Sequence, residues 1–476
     1  MSDYKPTIGL EVHAELKTRT KMFCDSLNDP SELHPNVNVC PVCMGHPGTL
    51  PVPNKQAIEY VIKVGFAIGG IPNAKSRFDR KNYFYPDLPK AYQISQAGQP
   101  LVIGGTLKGI KINHIHLEED AGKLMHDDAG ANGNGSTLVD YNRASVPLME
   151  LVTEPDIHTA EDAVAFMKEL QLILRYLGVS DADLERGQMR ADANISISPD
   201  DTLGTRAEVK NLNSFNSVFQ AINYEIKRQT EILDKGEKVH QETRGWDDVK
   251  QKSVSQRSKE EAQDYRYFPE PDIPPFETAS LGLEAIKDSV PELPAQKRVR
   301  FVSEYGLDEK AADALAGELE TANYFEEAVS EFREEIPDGS VATVYNYLTS
   351  DLRGLMKEAG VTLADVKVRP EHLAQLAIFI EQKKITSRQA KDMLAKMFAT
   401  GADPAEIMKS DNVGIGDADE VEAVVLAVIA EHHAAVADYK KGKTASLQFL
   451  IGQAMAKLKG RARPDMLREI FAKNLA

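Results

Sequence analysis

The chain is poor in the features that mark secreted and membrane proteins. It has three cysteines in 476 residues, all within the first 43, which excludes the disulfide framework of a small secreted domain. Its longest uninterrupted apolar run, Ala423 to Ala430, falls far short of the roughly 20 residues that a spanning helix needs. The opening MSDYKPTIGLEVH has no basic stretch leading into an apolar one, so no signal peptide is expected. A cytoplasmic protein with no membrane partner follows. Standard phosphate loops are also missing: GKT at 442–444 ends like one, but Ala437 stands where its first glycine belongs. GANGNG, from Gly130, lacks a strand before it and a helix after it, and neither G-x-S-x-G nor H-E-x-x-H occurs. Any nucleotide site must therefore be built on a sheet.

What is present is an ordinary globular composition with a strong acidic bias. Hydrophobic residues are 42% and charged residues 27%, and 73 acids against 56 bases leave a formal net charge of −17. The length allows two to four domains. A protein held to nucleic acid by its overall field would be basic, so contact of that kind needs a local patch. One lies between Lys440 and Arg468, with eight Lys or Arg against Asp465 alone. Phe301 to Ser340 holds twelve acids against two bases, read as a solvated helical face.

The first 294 residues read as short strands and loops with a few helices. Ile8, Leu10 and Val12 alternate with Gly9, Glu11 and His13, the period of a half-buried strand. A hairpin is expected over 98–118 and a polar loop over 128–136. Helical spacing runs from Ala160 to Leu177, opened by Thr159 and closed by Gly178, and again from Val218 to Leu233. Six prolines between Pro269 and Pro294 mark a boundary. Beyond it the spacing is helical almost throughout, with a hinge at Pro404 and GIGD (414–417). Domains at 1–294, 295–403 and 404–476 result, the last ending in helices 420–439 and 445–475.

Carboxylates on polar strand faces carry the chemistry. Glu11 and His13 are two apart and share a face. His114, His116, Glu118 and Asp120 share another, and Glu150 sits inside the apolar run PLMELV. An ionised carboxylate there is costly unless paired or metal-bound, and two or three carboxylates with one histidine suit Mg²⁺. The bland alternative for the first two sets is a wet strand face. FDRKNYFYPDLPK (78–90) interleaves Arg80 and Lys81 with Tyr83, Phe84 and Tyr85, a mixture suited to a nucleotide or a single-stranded RNA end, or equally to a core strand with a charged rim. NYFYPD at 82 and YRYFPEPD at 265 echo each other weakly. Cys24, Cys40 and Cys43 form a zinc half-site needing a fourth ligand, for which Asp25, His34 and His46 are candidates.

Longer strings are more specific. IGLEVHAELKTRTKMFC, CPVCMGHPGTLPVPNKQA, FDRKNYFYPDLPKAYQISQ, HLEEDAGKLMH, VDYNRASVPLMELVTEPDI, RADANISI, EVKNLNSF and DYRYFPEPDIPP occur in that order. Together they resemble the B subunits of the bacterial and archaeal-type aspartyl/glutamyl-tRNA amidotransferases, over nearly the whole chain. The resemblance implies an α+β fold: an antiparallel-sheet cradle similar to glutamine synthetase, then a helical domain and a small helical tail. It implies conversion of Glu or Asp, misacylated onto tRNA(Gln) or tRNA(Asn), into Gln or Asn through an ATP-derived acyl phosphate that ammonia attacks.

Carried over by motif, Glu11, His13, Glu118 and Glu150 would hold Mg²⁺, with Glu119 and Asp120 as neighbours. Lys81 would line the ammonia exit and bind the acyl end. Arg80, Arg190, Asp192, Asn194 and Lys210 would serve ATP phosphate or metal. Ammonia would come from a separate amidase (A) subunit, tied in by a small C subunit, because no amidase-type Ser-Lys signature is found. Two departures stand out. Ser26 replaces the cysteine of the family's F-C-x-C, which removes four-cysteine zinc ligation. Ala191 and Gln188 replace a usual Cys and Ser near RADAN. The rivals are a non-catalytic tRNA-binding scaffold and an ATP-dependent ligase for a free amino acid.

Overall fold

The computed structural model describes residues 4–29, 31–127, 136–258, 264–411, 418–458 and 462–475. The glycine-rich loop up to Gly135 and the GIGD hinge lie outside the described residues. The chain divides into two compact units, Met1–Pro294 and Ala295–Ala476.

In the first unit the main elements are, in chain order, β1 (Lys5–Glu15), α1 (Lys55–Ala67), β2 (Asp79–Asn82), β3 (Tyr92–Ser95), β4 (Ile110–Glu119), β5 (Pro147–Thr153), α2 (Ala160–Tyr176), β6 (Met189–Ser198), β7 (Ala207–Leu212), α3 (Phe215–Asp234), β8 (Glu242–Asp247) and β9 (Lys252–Ser258). The large sheet has the order β9-β8-β7-β6-β1-β5-β4 and continues into the short strands Val102–Ile103 and Ile71–Pro72. Its pairings are antiparallel except for β7 with β8, which is parallel. The expected all-antiparallel sheet is corrected there, because α3 connects β7 to β8 and a helical crossover returns the chain in the same direction.

Alternation decides which face is dry. Ile8, Leu10, Val12 and Ala14 of β1 are fully buried and join one core with Ile115 and Leu117 of β4, Leu151 of β5 and Ala191, Ala193 and Ile195 of β6. Helices α1, α2 and α3 cover that core, α2 through Ala163, Phe166, Met167, Leu170 and Leu174, the spacing of one helical stripe. Thr159 caps α2 by accepting from the Asp162 amide, and Gly178 leaves it at φ 68, as a left-handed helix end favours. In the expected hairpin, Lys108 (φ 54) and Gly109 (φ 81) form a two-residue turn from Thr106–Leu107 into β4, the left-handed pair that strand twist prefers.

The second unit is helical, with two separate cores. One runs from Phe301 to Ile407 and the other from Val421 to Leu475. Ile407, on the helix Pro404–Ser410, belongs to the first core, so the expected boundary at 404 falls one helix too early. The single helix expected over 445–475 is two, Thr444–Lys457 and Pro464–Leu475. Proline starts the second because its missing N–H costs nothing there. The segment expected as one helix over 420–439 is likewise Ala418–Glu431 and His433–Lys440. Among the described residues no helix is long and apolar enough to cross a membrane.

A buried ion network fastens α3 to the sheet. Glu225 is 0% exposed and accepts from Arg228 at 2.9 and 2.6 Å and from Gln229 at 2.8 Å, with Arg244 of β8 at 3.7 Å. Glu225→Ala removes the buried one of the two carboxylates that Arg228 and Arg244 share, leaving Glu242 at 3.4 and 2.6 Å. It should lower the unfolding free energy by about 3–5 kcal/mol, read by urea denaturation followed through the lone tryptophan, Trp246.

Candidate active site on the polar face of the sheet

The face opposite the helices gathers most of the predicted residues. His13 of β1 lies opposite Glu150 of β5 on one side and Arg190 of β6 on the other, and Glu150 lies opposite His116 of β4. Four neighbouring strands therefore contribute one ladder: Arg190, His13, Glu150, His116. His13 Nε2 is 3.1 Å from Glu150 Oε2 and 3.7 Å from Glu118 Oε1, and His116 Nε2 is 3.3 Å from Glu150 Oε2. Burial alone would raise the Glu150 carboxyl, but His116 and His13 outweigh it and hold it well below the usual range. His114, stacked on His116 at 5.2 Å, is pushed down to about 4 by burial and by its neighbour.

Two groups of three metal-type ligands result. His13, Glu118 and Glu150 each bring one ligand atom within 4.8 Å of the others, and so do Glu11, Asp192 and Glu208. The expected single set of Glu11, His13, Glu118 and Glu150 is thus divided, with Glu11 facing β6 and β7. Asn194 donates to Glu11 at 2.9 Å, and Lys210 bridges Asp192 at 2.5 Å and Glu208 at 2.9 Å. The Glu11 carboxyl is raised by burial and then by the nearby charges of Glu150 and Glu208. Carboxylates crowded this closely repel unless a cation joins them. One histidine with two carboxylates, and three carboxylates side by side, both fit a hard divalent ion. His13 Nδ1 and His116 Nδ1 are buried with no hydrogen-bond partner among the described residues.

Other predicted residues are used differently. Asp120 is buried between Arg143 and Arg190, with Arg190 at 3.3 Å, and Arg143 also reaches Glu15 at 3.2 Å. It positions Arg190 and belongs to neither ligand group. Glu119 is tied to Lys90 at 2.5 Å and accepts from the Ile94 amide at 2.9 Å, bracing β3. Arg80 is locked to Glu270 at 2.7 Å and Asp272 at 3.3 Å and lies 4.3 Å over the Tyr92 ring, so the structure does not bring it to the carboxylates. Lys81 sits among aromatic rings. Burial opposes its charge, but Glu118, Tyr267 and Glu150 outweigh it and keep the ammonium protonated.

Cys24, Cys40 and Cys43 converge within 4.8 Å. Asp25, His34 and His46 do not join them, whereas Ser26 Oγ lies 4.0 Å from Cys43 Sγ. Glu208, Arg143 and Glu15 escaped the sequence reading. Glu208 had a usable signal, since it stands two residues before Lys210 on one strand face. Glu15 continues the alternation of Glu11 and His13 along β1, but its pairing with Arg143 had no signal in the sequence.

One polar sheet face thus carries two acidic, metal-type ligand groups flanked by arginine and lysine. Residues 6–283 match the GatB/GatE catalytic domain, and residues 323–475 match the GatB domain. The chain belongs to this GatB family. It is 45% identical to the B subunit of the aspartyl/glutamyl-tRNA(Asn/Gln) amidotransferase of Dehalococcoides mccartyi, covering 100% of this chain and 99% of that protein. It is 44% identical to the B subunit of the same type of amidotransferase from Carboxydothermus hydrogenoformans, over the full length of both. With the B subunit from Brevibacillus brevis it shares 43% identity over 99% and 98% of the two chains.

Burial would raise the Asp120 carboxyl, but Arg190 and Arg143 hold it well below the ordinary value. A depressed carboxyl stabilises the fold above its unfolded pKa of about 3.9, and that stability is lost as pH falls through the folded value. Asp120→Asn should therefore cost about 2–3 kcal/mol near pH 5, with the gap from wild type closing below about pH 4. The gap should also narrow toward pH 7, because Glu15, held up to about 7 by burial and by Asp120, loses that like charge in the variant. Denaturant melts across that range measure it.

Proposed function

We propose that this chain is the carboxylate-activating and tRNA-binding subunit of a tRNA-dependent amidotransferase. It converts Glu-tRNA(Gln), Asp-tRNA(Asn) or both into the amidated forms in the cytoplasm, as a carbon–nitrogen ligase with glutamine as amido donor. The observation that carries this reading is the division of the acidic face into two adjacent ligand groups beside Arg190, Lys210 and Lys81, in a chain of the GatB family. Such a face suits phosphoryl transfer, which asks mainly for positioning and charge neutralisation. We read the sheet as a glutamine synthetase-like cradle.

The carboxylate of the misacylated residue is a poor electrophile; its oxygen attacks the γ-phosphorus of ATP, the bond to the β–γ bridging oxygen breaks, and an acyl phosphate forms as ADP leaves. His13, Glu118 and Glu150 would hold one Mg²⁺, and Glu11, Asp192 and Glu208 a second. Bound Mg²⁺ supplies neutralisation of the phosphate oxygens. Arg190, kept in place by Asp120, and Lys210 meet the remaining phosphate charge, with Asn194 orienting Glu11. Lys81 stays protonated and meets the substrate carboxylate, then the oxyanion formed as ammonia attacks and phosphate leaves. Ammonia comes from a partner glutaminase (A) subunit, and a small C subunit completes a heterotrimer. The last helices grip the tRNA body through exposed Lys440, Lys441, Lys443 and Arg468.

The test is phosphate release by the assembled complex with and without misacylated tRNA. Release should depend on the misacylated tRNA and fall about a hundredfold or more in Glu150→Ala. Release that ignores Glu150→Ala removes the metal assignment, and no tRNA-dependent release with tRNA binding intact leaves a scaffold.

The three thiols fit a structural Zn²⁺ with one ligand fewer than a closed site. Cys43 is lowered to about 5, chiefly by hydrogen bonding from Cys24, so a thiolate is available. On this reading Ser26→Cys completes the site and should slow zinc loss to a chelator at least tenfold, followed with a colorimetric zinc indicator.

A further inference from the structure

The two echoing segments that the catalytic reading leaves over come together in space. The Asn82 amide donates to the Tyr265 carbonyl at 2.9 Å, its side chain donates to the Arg266 carbonyl at 2.8 Å, and Phe268 pairs with Arg80 of β2. Four tyrosines then form a continuous row, Tyr85–Tyr83–Tyr265–Tyr267, with ring centroids 6.2, 5.8 and 6.1 Å apart and every contact edge-to-face. Arg266 adopts φ 43 between the last two, a left-handed conformation that non-glycine residues seldom take. Lys81 Nζ lies 5.2 Å from the Tyr265 ring and 5.9 Å from the Tyr83 ring, with no carboxylate within ion-pair distance among the described residues. The ends of the row are open: Tyr85 is 53% exposed and Tyr267 is 45% exposed.

We propose that this tyrosine row is the seat of the terminal unpaired adenosine of the aminoacyl-tRNA. The inference rests on the function proposed above and adds to it a subsite for the nucleoside that carries the ester. Each edge-to-face contact covers one ring face, and the half-exposed end rings, Tyr85 and Tyr267, keep surface for a flat base; aromatic stacking is how single-stranded ends are held without base-edge readout. The position fits the chemistry. In an aspartyl or glutamyl ester the side-chain carboxylate stands roughly 5–7 Å from the ribose oxygen, so the terminal nucleoside must sit beside the activating carboxylates. The row does: Lys81 lies opposite Gln93 of β3, Tyr83 donates to the Gln93 side chain at 3.3 Å, and Ser95, two residues along β3, donates to Glu118 at 3.4 Å.

The adenine of ATP is the other flat ring in the reaction, and the sheet order argues against it here. Lys210 belongs to β7, whereas Glu118 belongs to β4 at the other end of β7-β6-β1-β5-β4, with Arg190 reaching from β6 to Asp120 beside the end of β4. Four strand spacings separate β7 from β4, roughly 19 Å. Triphosphate and acyl nucleoside thus approach from opposite ends of one polar face.

The experiment uses the assembled complex with Tyr265→Leu and Tyr85→Leu, and Tyr265→Phe as the conservative variant. The KM for misacylated tRNA should rise about tenfold or more in the leucine variants, with the KM for ATP within twofold and Tyr265→Phe close to wild type. A tRNA ending in 2-aminopurine should lose fluorescence on binding wild type and keep it with Tyr265→Leu. An unchanged KM for tRNA together with equal quenching overturns the seat, and a selective rise in the KM for ATP overturns it in favour of the nucleotide. Tyr85→Leu, at an exposed position, guards against misfolding of the Tyr265 variant. Amidation by wild type separates these failures from failure of the parent function, since a wild-type complex that cannot amidate overturns both.

Discussion

The site depends on one constraint, the registration of β1 between β5 and β6. Side chains along a strand alternate with period two, so a slip by one residue would exchange every face. The fully buried Ile8, Leu10, Val12 and Ala14 forbid that slip, because they would turn outward as Glu11 and His13 turned into the core. With β1 fixed, His13 must oppose Glu150 and Arg190, and Glu150 must oppose His116. The dry face thus enforces the geometry of the wet one. Helix α2 lies on that dry face, distant from any chemistry, yet its apolar stripe holds the ladder in line.

The same registration concentrates electrostatic tension. Glu150 is stabilised as an anion by two histidines, while Glu11, two residues from His13, is pushed toward its neutral form by burial and by like charges. Environments that drive neighbouring carboxylates in opposite directions are common where function constrains packing. Around the rim the tension is relieved by fixed cations. Asp120 joins Arg143 to Arg190, and Lys210 joins Asp192 to Glu208. Each cation also borders the acidic face, so the groups that stabilise the apo fold are the ones a phosphate ligand would recruit. On the proposed function such double use would give a charged network a role that an apolar core, packing at less cost, could not fill.

How much of this was legible depended on the range of the signal. The alternation in β1 and the misplaced charge of Glu150 are local, and both pointed to the sheet face they occupy. The helices 160–177 and 218–233 were readable from capping and periodicity. The pairing of Glu11 with Asp192 and Glu208 was not, because it needs the register of three strands that lie up to 200 residues apart. Arg80 and Lys81 are adjacent and looked alike in sequence. Strand alternation sends one to Glu270 and the other to the aromatic row, a distinction that composition cannot carry. The parallel β7–β8 pair was hidden in the same way, since the helical spacing of α3 does not say to which side it returns the chain.

The charge balance of the last helices bears on the tRNA contact proposed for them. Eight bases against one acid in the sequence leaves out the helices just before that stretch. In the structure Lys443 pairs with Asp438 at 3.1 Å, Lys457 pairs with Glu431, and Arg463 and Arg468 both lie near Asp465. Of the six described cations in this patch four are thus engaged, and a phosphate contact made by any of those four must first give up a surface ion pair, a small but real cost. Binding by this patch alone would be weak and strongly salt-dependent. Two-point attachment resolves the difficulty. On the proposed function, once an acceptor end is held at the sheet face, contact by the tail would become intramolecular, and modest affinities would multiply through effective concentration. A tRNA whose aminoacyl end does not fit forfeits that gain. On the proposed function, a tail too weak to bind unaided therefore serves selectivity, because it leaves the decision to the site that reads the misplaced amino acid.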